Sequence, residues 1–253
     1  NKVKLHAENV AGFSKEISSF QDEPYGGVPT LAYAEIFKQA RKDNVLVLLD
    51  GQGMDEQWAG YDYYLKKSNN LIQGVNKSPL RPEVLTKAFF KLAKKPMYPK
   101  PFKDEILNLQ YRDLFYTKIP RALRFNDRVS MAASTELREP FLDYRLVEFA
   151  FAQPLEYKIN KGVQKYLLRS LVAEYLPDTI RYAPKRPLQT PQREWLATDL
   201  KDWVNSEISE LKKLDWFDSA FLEKEVNRYF EGDQDSSFHI WQWLNTSLLL
   251  KDE

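Results

Sequence analysis

The amino-acid sequence predicts an α/β fold in which a small, partial parallel sheet precedes a mostly helical region. Residues 45–49 are five consecutive apolar residues, a pattern typical of a strand buried on both faces of a parallel sheet covered by helices. Residues 3–5 alternate apolar and polar side chains and predict a shorter strand. Two predicted helices separate these strands, and such a crossover joins parallel strands. Because two strands do not complete a sheet, we expect partner strands elsewhere.

The strand at residues 45–49 leads into the segment that we expect to hold the functional site. The sequence Asp50-Gly51-Gln52-Gly53 follows, and its glycines allow a sharp turn in which the main chain can approach a ligand closely. A helix is predicted to begin at Met54, with acidic residues in its first turn. A strand, a glycine turn and a helix N-terminus form the place where open α/β sheets bind ligands.

The remaining elements are mostly helices separated by polar or proline-containing segments. Apolar periodicity and helix-breaking residues predict helices at residues 13–20, 31–41 (with Thr30 as cap), 82–93, 104–115, 119–134, 144–151, 164–174, 193–208, 219–230 and 236–250. Turns or loops are predicted at residues 21–29, 135–143 and 181–191. We predict no strand after residue 70, so the chain divides into residues 1–70, which end the α/β sheet, and residues 71–253, which are helical.

Composition narrows the classes of function. The 253 residues carry a formal charge of +1, so the chain has no overall field that favours nucleic acid or an anionic membrane. A basic segment with aromatic residues, 94–103, is better explained as a solvated loop than as a nucleic-acid site. No apolar run approaches the roughly 20 residues that span a bilayer, and no signal peptide is visible.

Cysteine is absent, and histidine occurs twice, as His6 and His239. These counts exclude disulfides, thiol nucleophiles and cysteine-based metal sites within these residues. They also disfavour histidine-based zinc sites and a Ser-His-Asp triad. We expect a cytoplasmic protein.

Several segments, in the same order along the chain, resemble those of the glutamine-hydrolysing asparagine synthetases. The segment Asp50-Gly51-Gln52-Gly53-Met54-Asp55-Glu56, followed by Gly60-Tyr61, resembles their Ser-Gly-Glu-Gly-x-Asp-Glu…Gly-Gly-Tyr element. Further matching segments are Asp22-Glu23-Pro24-Tyr25-Gly26, Arg128-Val129-Ser130-Met131-Ala132, Glu136-Leu137-Arg138-Glu139-Pro140-Phe141-Leu142-Asp143, Gly162-Val163-Gln164-Lys165-Tyr166-Leu167-Leu168-Arg169 and Pro184-Lys185…Pro191…Arg193-Glu194-Trp195-Leu196. Since these matches extend over about residues 15–200, they are far more specific than any single motif.

The resemblance implies part of a synthetase domain with the adenine-nucleotide alpha-hydrolase-like (PP-loop) fold. Members of the family carry an N-terminal glutaminase domain with a cysteine nucleophile, and an early Ser-Gly-Gly-x-Asp-Ser loop that binds the ATP pyrophosphate. Neither is present in these residues. We therefore expect the C-terminal part of a longer protein, in which residues 1–70 end the nucleotide-binding sheet, and we expect this part alone to be inactive.

The implied reaction activates the side-chain carboxylate of aspartate as an acyl adenylate, using ATP and Mg2+, and ammonia released from glutamine then displaces AMP. Asp55 matches the family's Mg2+-binding aspartate, and Lys165 matches its catalytic lysine. Arg124 falls where the family has an arginine near the phosphates or the substrate. The resemblance also implies nucleotide contacts from the turn residues Asp50, Gly51 and Gly53.

Most of these residues also have a simpler explanation. Asp55 and Glu56 would each stabilise the start of a helix through its dipole by about 0.3–1 kcal/mol, and for Glu56 we favour that explanation. A helix lysine such as Lys165 is most often solvated. Arginine–carboxylate pairs that tie helices together would account for Arg128, Arg138 and Asp143. Lys185 and Arg186 either close over the nucleotide or belong to a basic loop.

Gln52 departs from the family pattern, because asparagine-forming members carry glutamate at this position. A glutamate could bind ammonia or act as a general base, whereas glutamine takes no proton at neutral pH and keeps only its hydrogen bonds. We therefore place Gln52 in the reaction site. The amidated substrate is either aspartate or another carboxylate, such as a sugar acid, a peptide or a β-lactam precursor. Outside enzymes, the alternative is a non-catalytic helical interaction module.

Overall fold

The computed structural model describes residues 2–66, 80–184, 190–233 and 235–251. Within these ranges the helices are α1 (Ala7–Gln21), α2 (Val28–Lys42), α3 (Met54–Gln57), α4 (Asp62–Lys66), α5 (Lys87–Phe90), α6 (Glu105–Arg112), α7 (Ile119–Ala132), α8 (Tyr144–Ala152), α9 (Leu155–Lys158), α10 (Tyr166–Leu171), α11 (Asp178–Arg181), α12 (Gln192–Ala197), α13 (Lys201–Leu211), α14 (Ser219–Phe230) and α15 (Phe238–Leu249). The strands are β1 (Val47–Leu49), β2 (Glu136–Arg138), β3 (Ile159–Asn160) and β4 (Val163–Gln164).

Strands β1 and β2 form a two-stranded parallel sheet. Their paired residues are Val47 with Glu136, Leu48 with Leu137, and Leu49 with Arg138. The prediction that no strand follows residue 70 is wrong, and β2 lies inside the segment that was predicted as a turn. The reason is that the charged residues Glu136 and Arg138 are exposed on either side of Leu137, so β2 has no apolar run that would reveal it.

Strand β1 is largely exposed, contrary to the prediction that residues 45–49 are buried on both faces. Val47 is 40% exposed and Leu49 is 71% exposed, while Leu48 packs against the apolar core. A strand is buried on both faces only where other elements cover both faces, and among the described strands β1 has β2 as its single neighbour. Residues 3–5, which were also predicted as a strand, lie outside the described strands.

Most predicted helices form, although many of their ends differ from the predicted ones. Helix α14 covers its predicted residues. Thr30 does not cap α2, because the helix begins earlier and Thr30 is buried in its first turn. The helix predicted at residues 82–93 is replaced by a 3-10 turn and the short α5, since Thr86 caps α5 by accepting the N–H of Phe89 at 3.4 Å. In the part of the chain that the structure describes, no helix is both long and apolar enough to cross a bilayer.

One apolar core joins the first helices of the chain to the last. Buried members from α1, α2, α13 and α15 include Val10, Ile17, Leu31, Phe37, Val204, Ile208, Ile240 and Leu244. Trp241 of α15 donates from its indole nitrogen to the Tyr25 main-chain oxygen at 3.0 Å, and the Tyr25 N–H donates to Asn245 Oδ1 at 3.2 Å. The segment between α1 and α2 is therefore held in place by α15.

The buried histidine of α15 makes stability depend on pH. His239 is 4% exposed between the rings of Tyr229 and Trp243, and burial lowers its pKa from 6.5 to about 4. The unfolded chain takes up this proton near the ordinary value, whereas the folded chain does so near the lowered one. The free energy of unfolding is therefore expected to fall as the pH drops through this window, by on the order of 2–3 kcal/mol, as denaturant titrations at several pH values would measure.

Two variants separate His239 from the carboxylates that also titrate in acid. The His239→Gln variant is expected to lose the part of the pH dependence that lies between the two pKa values. The matched His6→Gln variant removes an exposed histidine and is expected to keep the dependence of the original chain. An equal slope in both variants would contradict the assignment to His239.

Candidate active site

The segments that follow β1 and β2 lie side by side at one edge of the sheet, because the two strands are parallel. The Asp50 N–H donates to the Arg138 main-chain oxygen at 3.0 Å, which continues the pairing beyond β1. The Gln52 N–H donates to Glu139 Oε2 at 3.3 Å, and the Gly51 N–H donates to Asp50 Oδ1 at 2.7 Å. The predicted ligand turn is thus joined to a strand that the sequence pattern did not reveal.

The two glycines of this turn have different environments. Gly53 has φ +91°, in the left-handed region that favours glycine, and a β-carbon there would overlap the side chain of Leu142. Next to it, the Gln57 amide donates to the Phe141 main-chain oxygen at 2.6 Å. Gly51 is exposed and has open space beside its α-carbon. Gly53 therefore shapes the turn, whereas Gly51 leaves its main chain accessible to a ligand.

Lys165 and Asp55, which lie far apart in sequence, form an ion pair beside this turn. The distance from Lys165 Nζ to Asp55 Oδ1 is 2.6 Å, and the two side chains are 18% and 15% exposed. A β-carbon on the buried Gly60 would lie 2.5 Å from Lys165 Cε and closer still to the Asp55 carboxylate. The structure therefore brings the two sequence-predicted residues together, and the missing side chain of Gly60 makes room for them.

Lys165 is presented by a hairpin and not from within a helix. It precedes α10 with φ 55°, and its N–H donates to the Trp58 main-chain oxygen at 3.1 Å. The neighbouring Gln164 donates from its amide to the main-chain oxygens of Ala59 at 2.7 Å and Tyr61 at 2.6 Å. The predicted helix start at residue 164 is wrong, because this residue pairs in β4 with β3. Lys165 is consequently fixed against the segment that follows α3.

A cleft of about 740 Å3 opens beside the ion pair. One side is apolar and includes Leu168, Val172, Leu176 and Ile180. Arg169 also lines the cleft, but its guanidinium donates to the main-chain oxygens of Gln164, Arg181 and Ala183. The cleft combines the Lys165 ammonium with an apolar wall, and its volume lies in the range of small-molecule sites, roughly 300–1,000 Å3.

Glu56, the acid next to Asp55, is buried. It lies in the first turn of α3 as expected, but it is nearly inaccessible and accepts the Tyr61 hydroxyl hydrogen at 2.7 Å, so the helix dipole is not a sufficient explanation. Burial raises the pKa of Glu56. Lys118 lies 4.3 Å from the centroid of the Tyr61 ring, and burial lowers its pKa. These contacts fix the helix that carries Asp55.

A second support for α3 comes from residues that sequence reasoning missed. The buried Gln110 donates from its amide to the main-chain oxygens of Glu56 at 2.6 Å and Gln57 at 2.8 Å. Its Oε1 accepts a hydrogen bond from the fully buried Lys158 at 3.1 Å, whose pKa burial lowers to about 8. A glutamine and a lysine without a motif give no signal in the sequence, so these roles required the structure.

Arg124 does not lie in the cleft beside Lys165. Its guanidinium donates to the main-chain oxygens of Gln21 at 2.8 Å and Pro24 at 3.0 Å, and it lies 3.4 Å from the Glu23 carboxylate. It also borders a cleft of about 350 Å3 shared with Glu139. Arg124 therefore anchors the segment between α1 and α2 to α7.

The other predicted ion pairs are formed by Arg128, Arg138 and Asp143. Arg128 pairs with Asp22 and so ties α7 to the end of α1, as expected. The remaining two pairs are local, since Arg138 binds Glu136 at 2.8 Å and Asp143 binds Arg145 at 2.6 Å. The hydrogen bond from Arg145 lowers the pKa of Asp143 to about 2.

Glu139 is an acid at the site that sequence reasoning missed. Burial, and then the charge of Asp50, raise its pKa from 4.5 to about 7, against the opposing effect of the Gln52 N–H. Its Oε1 is buried and has no hydrogen-bond partner among the described residues. Burial and the charges of Asp50 and Glu139 also raise the pKa of Tyr33 to about 12. An acid directly after a parallel strand would have been the signal, but β2 was not predicted.

The donor set at the site suits a cation that is bound together with phosphates. Among the described residues, no three His, Asp or Glu side chains are grouped to hold a metal ion. Mg2+ is commonly bound by one or two carboxylates together with substrate phosphates and water, and Asp55 offers one such carboxylate. Lys185 and Arg186, which were expected either to close over the nucleotide or to form a basic loop, lie outside the described residues.

Comparison with known proteins shows which family this chain resembles in sequence. The family model described as asparagine synthase matches residues 1–251. Glutamine-hydrolyzing asparagine synthetase 1 of Bacillus subtilis is 25% identical, and the match covers 87% of this chain and 42% of the relative. A putative glutamine-hydrolyzing asparagine synthetase of Mycobacterium bovis is 26% identical, over 95% of this chain and 44% of the relative. The chain thus spans less than half of the length of these relatives.

Proposed function

Because this chain belongs to the asparagine synthase family, we propose that it supplies part of the active site of an ATP-dependent ligase that converts a carboxylate into an amide. The observation that carries the proposal is the ion pair between Lys165 and Asp55, at 2.6 Å. Both residues were identified from separate motifs, and they meet beside a glycine turn and a cleft of small-molecule size. A cation held in a mostly buried site interacts strongly with negative charge that develops there.

The proposed reaction has two steps. In the first, an oxygen of the substrate carboxylate attacks the α-phosphorus of ATP, and pyrophosphate leaves. In the second, ammonia forms a bond to the acyl carbon, and AMP leaves with the electron pair of the broken carbon–oxygen bond. Negative charge shifts among phosphate oxygens in both steps, and the Lys165 ammonium stabilises it without rearranging, because Asp55 already holds the ammonium in place.

The other site residues have supporting roles in this proposal. Asp55 contributes a carboxylate oxygen to Mg2+, which neutralises phosphate charge when bound. The accessible main chain at Gly51 and the carboxylate of Asp50 face the nucleotide, and Gly53 gives the turn its shape. We assign Arg124 to positioning the segment after α1, because main-chain oxygens already occupy its guanidinium.

Aspartate is the first candidate substrate, because the matched relatives are named asparagine synthetases. Gln52 favours the second candidate, another carboxylate such as a sugar acid, a peptide or a β-lactam precursor. The amide side chain of glutamine does not titrate. This position therefore lacks the carboxylic acid that asparagine-forming members have there.

The proposal also includes the source of ammonia and the cellular location. The named relatives are glutamine-hydrolyzing, and we propose that ammonia comes from glutamine through a glutaminase domain that precedes these residues in the full-length protein. The pyrophosphate-binding loop would also precede them. We further propose a cytoplasmic location and no nucleic-acid partner, in line with the formal charge of +1.

The decisive experiment uses the full-length protein with ATP, Mg2+ and L-aspartate. Aspartate-dependent exchange of labelled pyrophosphate into ATP reports the first step, and amide formation with ammonia or glutamine reports the second. Asparagine formation is the expected result. Exchange with one of the other acids but not with aspartate would decide for the second candidate, and no exchange with any of them would contradict the proposed function. Sequencing upstream of residue 1 should reveal the glutaminase and pyrophosphate-loop segments.

A further inference from the structure

The carboxyl group of Glu139 is held at the glycine turn by a contact with its main chain. Its Oε2 accepts the N–H of Gln52 at 3.3 Å, while its buried Oε1 has no hydrogen-bond partner among the described residues. In many enzymes two neighbouring carboxyl groups in different environments act as an acid and a base. Here burial, and then the charge of the neighbouring Asp50, favour the protonated form of Glu139.

Glu139 also lies close to the cleft that contains Lys165. Phe141 lines this cleft, and two consecutive peptide units span at most about 7.6 Å between α-carbons. The α-carbon of Glu139 is therefore at most about 7.6 Å from that of Phe141, a residue of the cleft wall. On its other sides, Glu139 borders two smaller clefts of about 350 and 590 Å3. Each of these two clefts has room for a molecule as small as ammonia.

The second step of the proposed reaction needs a proton acceptor. When ammonia bonds to the acyl carbon, its nitrogen becomes positively charged, and it must lose a proton before the amide is formed. Gln52 cannot take this proton at neutral pH. Resting on the proposed function, we propose that Glu139 is the catalytic base that takes it. The N–H bond breaks, its electron pair stays on nitrogen, the proton moves to the carboxylate of Glu139, and AMP leaves with the electrons of the carbon–oxygen bond.

The charged groups around Glu139 agree with this role. The titratable or charged residues that face it from β1, α2, α7, β2 and the start of α8 are Asp50, Tyr33, Arg124, Asp127, Arg138, Asp143 and Arg145. The three arginines have other partners: Arg124 binds main-chain oxygens, and the other two bind Glu136 and Asp143. Burial, and then the charge of Asp50, therefore raise the pKa of Glu139 towards neutrality.

The test compares three variants of the full-length protein. Glu139→Gln removes the base, Glu139→Asp keeps a carboxylate, and Glu136→Gln is the matched control on the exposed face of β2. The assays are acid-dependent pyrophosphate exchange, with L-aspartate as the first probe and the other proposed acids after it, and amide formation with ammonia. The rate of amide formation is divided by the concentration of unprotonated ammonia at each pH. The titration of ammonium therefore does not contribute to the pH dependence of this rate.

We expect Glu139→Gln to lower amide formation roughly a hundredfold while pyrophosphate exchange stays within about twofold. Because the acceptor must be unprotonated, the original protein should show a rate per free ammonia that rises through an inflection near pH 7, consistent with the pKa of about 7 for Glu139. This inflection should disappear in Glu139→Gln, Glu139→Asp should regain part of the rate, and Glu136→Gln should match the original protein.

The outcomes separate this inference from the proposed function. Exchange by the original protein, together with an unchanged amide rate and pH profile in Glu139→Gln, would overturn the role of Glu139 alone. Equal losses of exchange and amide formation would also overturn it, because they indicate misplacement of the turn. No exchange with any acid would overturn the proposed function and this inference together. Without any substrate, the NMR shift of the Gln52 N–H should titrate near pH 7 in the original protein but not in Glu139→Gln.

Discussion

Replacing Lys165 by methionine is expected to lower acid-dependent pyrophosphate exchange by roughly a thousandfold in the full-length protein, since removal of one preorganised charge stabiliser typically costs a factor of about 10²–10³. Methionine has a similar length but no charge, so the cleft loses its ammonium while its shape is kept. Asp55 loses its partner at 2.6 Å at the same time. Exchange of labelled pyrophosphate is the measurement, because it reports the first step without the second.

The matched control for this change is Lys161→Met. Lys161 and Lys165 both have positive φ, 48° and 55°, so the two variants place methionine in similar backbone conformations. Lys161 is exposed in the hairpin between β3 and β4, and its loss is expected to leave exchange unchanged. A Lys165→Met protein that keeps its exchange rate would contradict the role of Lys165 in the proposed first step.

Adding a single methyl group at Gly60 is expected to reduce exchange about as much as removing Lys165. The new β-carbon would lie 2.5 Å from Lys165 Cε and closer still to the Asp55 carboxylate, so the two charged groups cannot keep their positions. Overpacking of this kind also costs typically about 1–3 kcal/mol of stability. Exchange assays together with thermal unfolding of the Gly60→Ala protein measure both effects.

The control for Gly60→Ala is Gly12→Ala, in α1. A β-carbon at Gly12 would meet nothing within 4 Å, and alanine is favoured over glycine inside a helix by about 0.5–1 kcal/mol. The Gly12→Ala protein should therefore be as active as the original and slightly more stable. Full activity in Gly60→Ala would show that the Lys165–Asp55 contact is not needed for the first step.

The sequence was sufficient for the features that depend on local patterns. The apolar run before Asp50, the glycine turn and the start of α3 at Met54 were all predicted from neighbouring residues, and motif resemblance named Asp55 and Lys165. Strand β2 was missed because three residues with exposed charged ends carry no periodic signal. The exposure of β1 was missed because burial depends on which other strands and helices are present, which its own residues do not determine.

The contacts that build the site could not be predicted, because they join residues that are distant along the chain. Nothing near Gly60 indicates that it faces a lysine 105 residues later, or that Gln110 holds the end of α3 through two main-chain oxygens. Nothing in the local sequence distinguishes Glu139, and its raised pKa follows from burial and from the charge of Asp50, which comes directly after the neighbouring strand β1. Such pairings are set by the tertiary fold rather than by local propensity.

The contact between Tyr25 and Trp241 has a consequence for how the chain acquires its structure. Trp241 and Tyr25 are separated by 216 positions, and Asn245 lies 220 positions from the same residue. Contacts that close such long loops form slowly, because the chain loses conformational entropy before the stabilising contact is made. During synthesis the segment at Tyr25 has to wait until α15 has left the ribosome. Helices α1 and α2 therefore reach their final packing only after α15 has been made, and α7 is the main element that packs against them before that.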